Sequence, residues 1–162
     1  MNLTYEIATS ADIEPIYQSC IKLIWEYEDL GSVDLSKVLP WIRRKLESSI
    51  GEYTRVLLDG VLVAYYHFAP SEGKMELDDL YVLDQDKRSK GIGTAILEKC
   101  FAETDLPIFL YVFQRNTRAA HIVGDDLFGN DLLGKSLVCQ VNTQQFLGIS
   151  AFNHNSLPPV IG

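Results

Sequence analysis

Cysteine is scarce in this chain. Three occur in 162 residues, and Cys20, Cys100 and Cys139 stand far apart. No CxxC pair is present, so a structural zinc site is not expected, and no metal is assigned. Long apolar runs are missing too, since nothing approaches the ~20 residues that cross a bilayer. The opening Met1-Asn2-Leu3-Thr4-Tyr5-Glu6 has neither the basic nor the apolar region of a signal peptide. The expectation is a cytoplasmic protein with no membrane partner. Positive charge is also short: 14 Lys and Arg face 22 Asp and Glu, a formal charge of −8. A general nucleic-acid binder needs the opposite balance, so nucleic acid is not expected as a partner. The acidic surface serves solubility first and steers a cationic amine second, while an anionic ligand must find a local basic patch.

The rest of the composition is ordinary, at 47% hydrophobic and 22% charged, without repeats or low-complexity tracts. The length suits one domain over residues 1–162. Leu3 to Ala8 alternates like a half-buried strand. Thr9-Ser10-Ala11-Asp12 then fits a capping box, opening a helix that ends near Leu30-Gly31. A second helix is expected over Leu35 to Ser49, with Pro40 tolerated early. Trp25 and Trp41 are assigned to core or helix packing, with an interface role as the alternative. Asp59-Gly60 joins two strands as a hairpin, Arg55–Leu58 and Val61–Phe68, and Pro70 to Gly73 makes a second turn. Strict alternation over Lys74–Val82 puts Met75, Leu77 and Tyr81 on one side, with Glu76, Asp78, Leu80 and Val82 on the other. A helix over Gly91–Glu103, a buried strand over Pro107–Phe113 and a short helix from Thr117 to about Val123 follow. This order describes a mixed α/β domain with helices packed on a sheet.

The segment from Leu80 to Thr94 carries the chemistry. A strand runs into a loop with two glycines and then straight into a helix. Gly91 and Gly93 let backbone approach a ligand closely, and the helix N-terminus favours a phosphate. Arg88 and Lys90 add positive charge where the protein is otherwise acidic. This is not a Walker A loop, because the Gly-Lys-Ser/Thr ending is absent, and it holds only one GxG. On local features alone, a phosphate cradle and a plain tight turn remain equally open.

Arg88-x-x-Gly91-x-Gly93 resembles the Gln/Arg-x-x-Gly-x-Gly/Ala signature of the GNAT superfamily of N-acetyltransferases. Leu80-Tyr81-Val82 resembles the strand before that loop, Gly91 to Leu97 the helix after it, and Ile108 to Phe113 the next strand. Asn116-x-x-Ala119 resembles the start of the following helix, and Thr9 to Ile16 the opening one. The likeness covers about residues 1–120 in order.

The resemblance implies a mixed sheet splayed into a V between its fourth and fifth strands, with helices on both faces and coenzyme A in the splay. Backbone at Tyr81 and Val82 would pair with the pantetheine arm. Arg88, Ser89, Lys90, Gly91, Ile92, Gly93 and Thr94 would hold the pyrophosphate. Asn116 would contact the cofactor, cap a helix, or do both. Acetyl-CoA would be co-substrate and a primary amine the acceptor, be it a small amine, a peptide N-terminus or a lysine. Glu76 and Asp78 are the candidate bases, on the premise that neighbouring carboxylates raise one another's pKa, the alternative being that both are solvated or bind a cationic substrate. Asp79, on the opposite alternation, is a weaker candidate, and His67 is read as structural. The family includes monomers and homodimers.

Two departures stand out. The family's tyrosine acid, seven residues after the Asn, is replaced by Val123, and no tyrosine follows Tyr111. Water or Tyr111 would have to protonate the leaving thiolate. A non-catalytic acyl-CoA binding or sensing module is therefore the alternative function. The likeness also stops abruptly near Ala120–His121, as a changed reading frame or genuine divergence would make it. The atypical tail, residues 124–162, offers Ser136–Asn142 and Gln145–Phe152 as strands.

Overall fold

A computed structural model describes residues 1–27, 30–31, 34–83, 91–113 and 136–141, the last six and 111–113 as backbone alone. Arg88, Ser89, Lys90, Asn116, Val123, the helix expected after Asn116 and the strand expected over Gln145–Phe152 lie outside the described residues.

Six strands make one sheet in chain order: β1 (Leu3–Ile7), β2 (Tyr53–Leu58), β3 (Val61–Ser71), β4 (Lys74–Val82), β5 (Ile108–Phe113) and β6 (Ser136–Val141). The first four are antiparallel neighbours, while β4–β5 and β5–β6 run parallel. Parallel neighbours need crossovers. Between β4 and β5 that crossover carries α3 (Ile92–Glu103). The other helices, α1 (Ile13–Tyr27) and α2 (Leu35–Ser49), lie between β1 and β2 in the chain. No described helix is long and apolar enough to cross a membrane.

Two hydrophobic clusters separate the faces. Ile92, Ile96, Leu97, Cys100 and Phe101 of α3 pack with Val56, Tyr66, Leu77, Ile108 and Leu110 of the sheet. Ile16, Cys20 and Ile24 of α1 pack with Trp41, Ile42 and Leu46 of α2 over Tyr53 and Tyr65. Adjacent residues of a strand point to opposite faces, so Tyr65 and Tyr66 fix α1 and α2 on one face and α3 on the other. Each fully buried Ile or Leu here contributes ~1.5–3 kcal/mol. Cys20 and Cys100 are free thiols inside these cores.

The local signals act at close to the expected positions, with instructive shifts. Asp12 accepts from the Thr9 amide at 2.8 Å, but in a 3-10 turn over Ser10–Asp12 that precedes α1. Asp34 caps α2 by accepting from the Ser36 amide at 3.1 Å. Pro40 is the sixth residue of α2, one turn deeper than the position where its missing N–H costs nothing. Asp59 and Gly60, with φ of 50° and 81°, form the hairpin turn that Asp-Gly favours. The second turn is only Glu72-Gly73, also at positive φ. Pro70 belongs to β3, beyond Tyr53↔His67 where β2 stops, so its missing donor faces no strand on that side. Trp41 is buried as expected, but Trp25 is 61% exposed.

Strict alternation in β4 is wrong after Asp78. Tyr65 pairs with Tyr81 and His67 with Asp78, so Tyr66 alone stands opposite both Asp79 and Leu80. That is a β-bulge, and Asp79 adopts φ 49° within it. One extra residue inverts every later side chain. Leu80 and Val82 therefore join Leu77 in the α3-side core, and Leu83 packs on the α1/α2 side.

Candidate active site

β4 and β5 pair only at Met75↔Ile108, Glu76↔Phe109 and Leu77↔Leu110. Both strands continue, to Val82 and Phe113, without further pairing to each other. The sheet thus opens into a V whose apex is at Leu77 and Leu110. Past the bulge the Leu83 amide donates to Val63 O at 2.9 Å, so by alternation the backbone polar groups of Val82 face away from β3, towards the opening.

α3 begins from Gly91, which sits at φ 84°, a left-handed conformation that suits glycine. The first helical bond is Ala95 N to Gly91 O at 2.9 Å. The amides of Ile92, Gly93 and Thr94 precede it and have no acceptor within the helix. The first turn holds no acidic residue, and a Cβ on Gly91 would meet nothing closer than Met1 Cε at 3.9 Å. A helix start of this kind fits a phosphate group.

Glu76 and Asp78 share the α1/α2 face at the apex of the V, and both are buried. Their surroundings differ. Glu76 lies between Ala69 of β3 and Phe109 of β5. Asp78 is locked in an ionic network. Its Oδ2 accepts from Lys45 Nζ at 2.5 Å, and its Oδ1 is hydrogen-bonded to His67 Nδ1. Lys45 also donates to Asp79 Oδ2 at 2.8 Å, an oxygen that accepts from the Tyr53 hydroxyl at 2.6 Å. His67 Nε2 lies 2.7 Å from Glu52 Oε2. The bulge explains why Asp79, assigned by alternation to the far face, reaches the same lysine as Asp78.

The network fixes its own charge states. Burial pushes the Asp78 carboxyl up, but Lys45 and His67 outweigh it and hold it below the ordinary aspartate range. The premise of mutual elevation therefore fails for Asp78, whose nearest charges are cations. Burial works against the Lys45 ammonium, yet Asp78 and Asp79 hold its pKa well above normal. Burial likewise opposes a charged His67, and Asp78 and Glu52 overcome it, raising the imidazole above 6.5. A carboxylate stands at each imidazole nitrogen, and together the two favour the protonated ring, which can donate to both. Tyr53 is raised by burial and by Asp79. A second anchor lies nearby, where the Tyr65 hydroxyl donates to buried Asp12 at 3.0 Å. Burial and that bond push the phenol to about 12.

Lys45 escaped the sequence reading, although a signal exists. It lies three and four residues from Ile42 and Trp41, on the buried stripe of α2. A charge on an apolar stripe demands an opposite charge beneath it.

The model of the acetyltransferase (GNAT) family matches residues 12–123. The chain belongs to the GNAT acetyltransferase family. No curated protein matches the sequence. Solved structures share the fold at low identity. A GNAT-family acetyltransferase from Staphylococcus aureus is 13% identical with a TM-score of 0.60, over 82% of this chain and 88% of that one. The paia N-acetyltransferase of Thermoplasma acidophilum, in complex with coenzyme A, is 19% identical with a TM-score of 0.54, over 77% and 89%. A predicted acetyltransferase with acetyl-CoA from Clostridium acetobutylicum is 15% identical with a TM-score of 0.54, over 82% and 93%. The GNAT match ends at residue 123, close to Ala120–His121 where the sequence likeness stops. The mixed splayed sheet with helices on both faces is the fold of these neighbours.

Proposed function

We propose that this GNAT protein transfers an acetyl group from acetyl-CoA to a primary amine by direct attack, the amine being a small molecule, a peptide N-terminus or a lysine side chain. The observation that carries the reading is the V: β4 and β5 part at Leu77 and Leu110, and the crossover between them carries α3, which starts from Gly91. Neighbours of the same fold hold coenzyme A or acetyl-CoA, which supports the choice of co-substrate. Acetyl-CoA supplies the activated acetyl thioester.

The chain supplies the rest. Backbone at Val82 faces the opening and, with Tyr81 beside it, is assigned to the pantetheine arm. Arg88, Ser89, Lys90, Gly91, Ile92, Gly93 and Thr94 are assigned to the pyrophosphate, with Asn116 beside it. The amide near Val82 is assigned as donor to the acyl oxygen. Glu76 is assigned as the base that takes the ammonium proton. Asp78, lowered by Lys45 and His67, is a poor proton acceptor and is assigned as their anchor. The acidic net charge favours a cationic acceptor.

Val123, where the family places its tyrosine acid, favours a second reading: an acyl-CoA binding or sensing module that does no chemistry. Thiol release from acetyl-CoA with a panel of amines separates the two. Amine-dependent release supports the transferase, and tight binding without release supports the module. We place the protein in the cytoplasm, as a monomer or homodimer.

A further inference from the structure

We propose that Lys45 is a positioning residue for the acyl group: by gripping both carboxylates of the β4 bulge, Asp78 and Asp79, it holds the backbone of Asp79–Val82 in the shape that receives the acetyl end of the co-substrate. This inference rests on the acetyl-CoA reading above.

Three observations carry it. The bulge is the only place where the β3–β4 register shifts, and it falls just past the apex at Leu77 and Leu110. It decides which backbone groups of β4 face the opening, because the extra residue inverts all that follow. Asp79 holds φ 49°, a conformation that costs energy for any residue with a Cβ and persists only when its surroundings impose it. The surroundings here are specific. Lys45 Nζ lies 2.5 Å from Asp78 and 2.8 Å from Asp79, and Tyr53 reaches the same Asp79 oxygen. An ammonium between the side chains on either side of the bulged peptide fixes their spacing. Lys45 comes from α2, so it also ties that helix to the wall of the V.

The charges facing Lys45 are accounted for. Asp78 and Asp79 of β4 pair with it directly, Tyr53 of β2 completes the Asp79 site, and His67 of β3 with Glu52 engages the other oxygen of Asp78. Two of the three N–H groups of the Lys45 ammonium are given to carboxylates of the bulge. Its effect on acetyl transfer passes through the backbone it shapes.

The test compares wild type, Lys45→Met and Asp79→Asn. Coenzyme A affinity is measured by calorimetry. Deuterium uptake at residues 79–83 is followed with and without saturating acetyl-CoA. In wild type, acetyl-CoA should slow exchange at 79–83 by about tenfold or more. Lys45→Met should still bind coenzyme A through the intact start of α3, weakened by no more than about tenfold through the arm at Tyr81 and Val82, yet gain little of that protection. Asp79→Asn tolerates the same backbone conformation but lacks the charge, so it should lose part of the protection. It decides the matter if Lys45→Met does not fold. Full protection in Lys45→Met, or in Asp79→Asn when that variant stands alone, overturns the proposal. So does parallel loss of coenzyme A binding and of protection across the sheet, which marks a merely structural lysine. A wild type that binds acetyl-CoA without protecting 79–83 overturns it while leaving the functional reading intact. A wild type that binds neither ligand overturns both.

Discussion

Lys45 and Asp78 are 33 residues apart in sequence, yet Nζ and Oδ2 meet at 2.5 Å inside the protein. Their side chains are 9% and 1% exposed, so each charge has exchanged water for the other. Such a pair is weak support for stability as a pair, but breaking it strands a buried charge. Lys45→Met should cost about 3–5 kcal/mol of unfolding free energy, and Asp78→Asn a comparable amount. The double variant should cost clearly less than their sum, because neither charge is then stranded. Denaturant unfolding of the three variants checks this. Additive losses would show that the two groups do not interact.

His67 gives a pH dependence of defined sign. Its folded pKa is raised above 6.5, so its contribution to stability is complete below the unfolded value. That contribution is lost as pH rises through the folded value. Asp78 acts in the opposite sense. Its folded pKa is lowered, so its contribution is present above the unfolded value and is lost as pH falls through the folded one. NMR titration of the imidazole, with thermal melts over about pH 6 to 9, should show His67 titrating above 6.5. The melting temperature should decline as it deprotonates, and His67→Gln should flatten that decline. Titration below 6.5 would mean that burial outweighs Asp78 and Glu52.

The left-handed conformation at Asp79 predicts an ordering among substitutions. Asn visits this region readily, whereas a β-branched residue does not. Asp79→Val should therefore destabilise by about 1–3 kcal/mol more than Asp79→Asn, read from chemical denaturation. Equal losses would place the cost in the lost ion pair and none in the backbone.

Much of this was legible in the chain. Asp59-Gly60 announced a hairpin because few other pairs accept two positive φ values, and Gly91 ahead of the apolar run from Ile92 announced the start of α3. The bulge was not legible. Nothing in Asp78-Asp79-Leu80 marks an inserted residue, since Asp is common in turns and loops and the pattern reads equally well as plain alternation. Every face assignment after Asp78 inherited that error. Lys45 went unread for a different reason. A lysine near a helix end is usually solvated, and only its place on the stripe with Trp41 and Ile42 tells otherwise. The tail beyond residue 123 shows a limit of another kind, as only Ser136–Val141 of it is described, as a strand parallel to β5.

Glu76 and Asp78 should separate cleanly in kinetics. Glu76→Gln should lower amine-dependent turnover by about 10²–10⁴-fold, the usual range for removing a general base. Acetyl-CoA affinity should be unchanged. Loss that vanishes at high pH, where the free amine forms unaided, would strengthen the assignment. Turnover by Glu76→Gln equal to wild type would remove Glu76 from the chemistry.

The central claim is that the start of α3 and the V beside it hold acetyl-CoA. It is tested most directly by calorimetric titration of acetyl-CoA into wild type and into Gly93→Trp, with folding of both checked by circular dichroism. The account predicts saturable binding by wild type, weakened about 100-fold or more in the variant, where an indole fills the space at the helix start. Folded wild type that binds no acetyl-CoA, or a folded variant that binds it as tightly, would contradict the account.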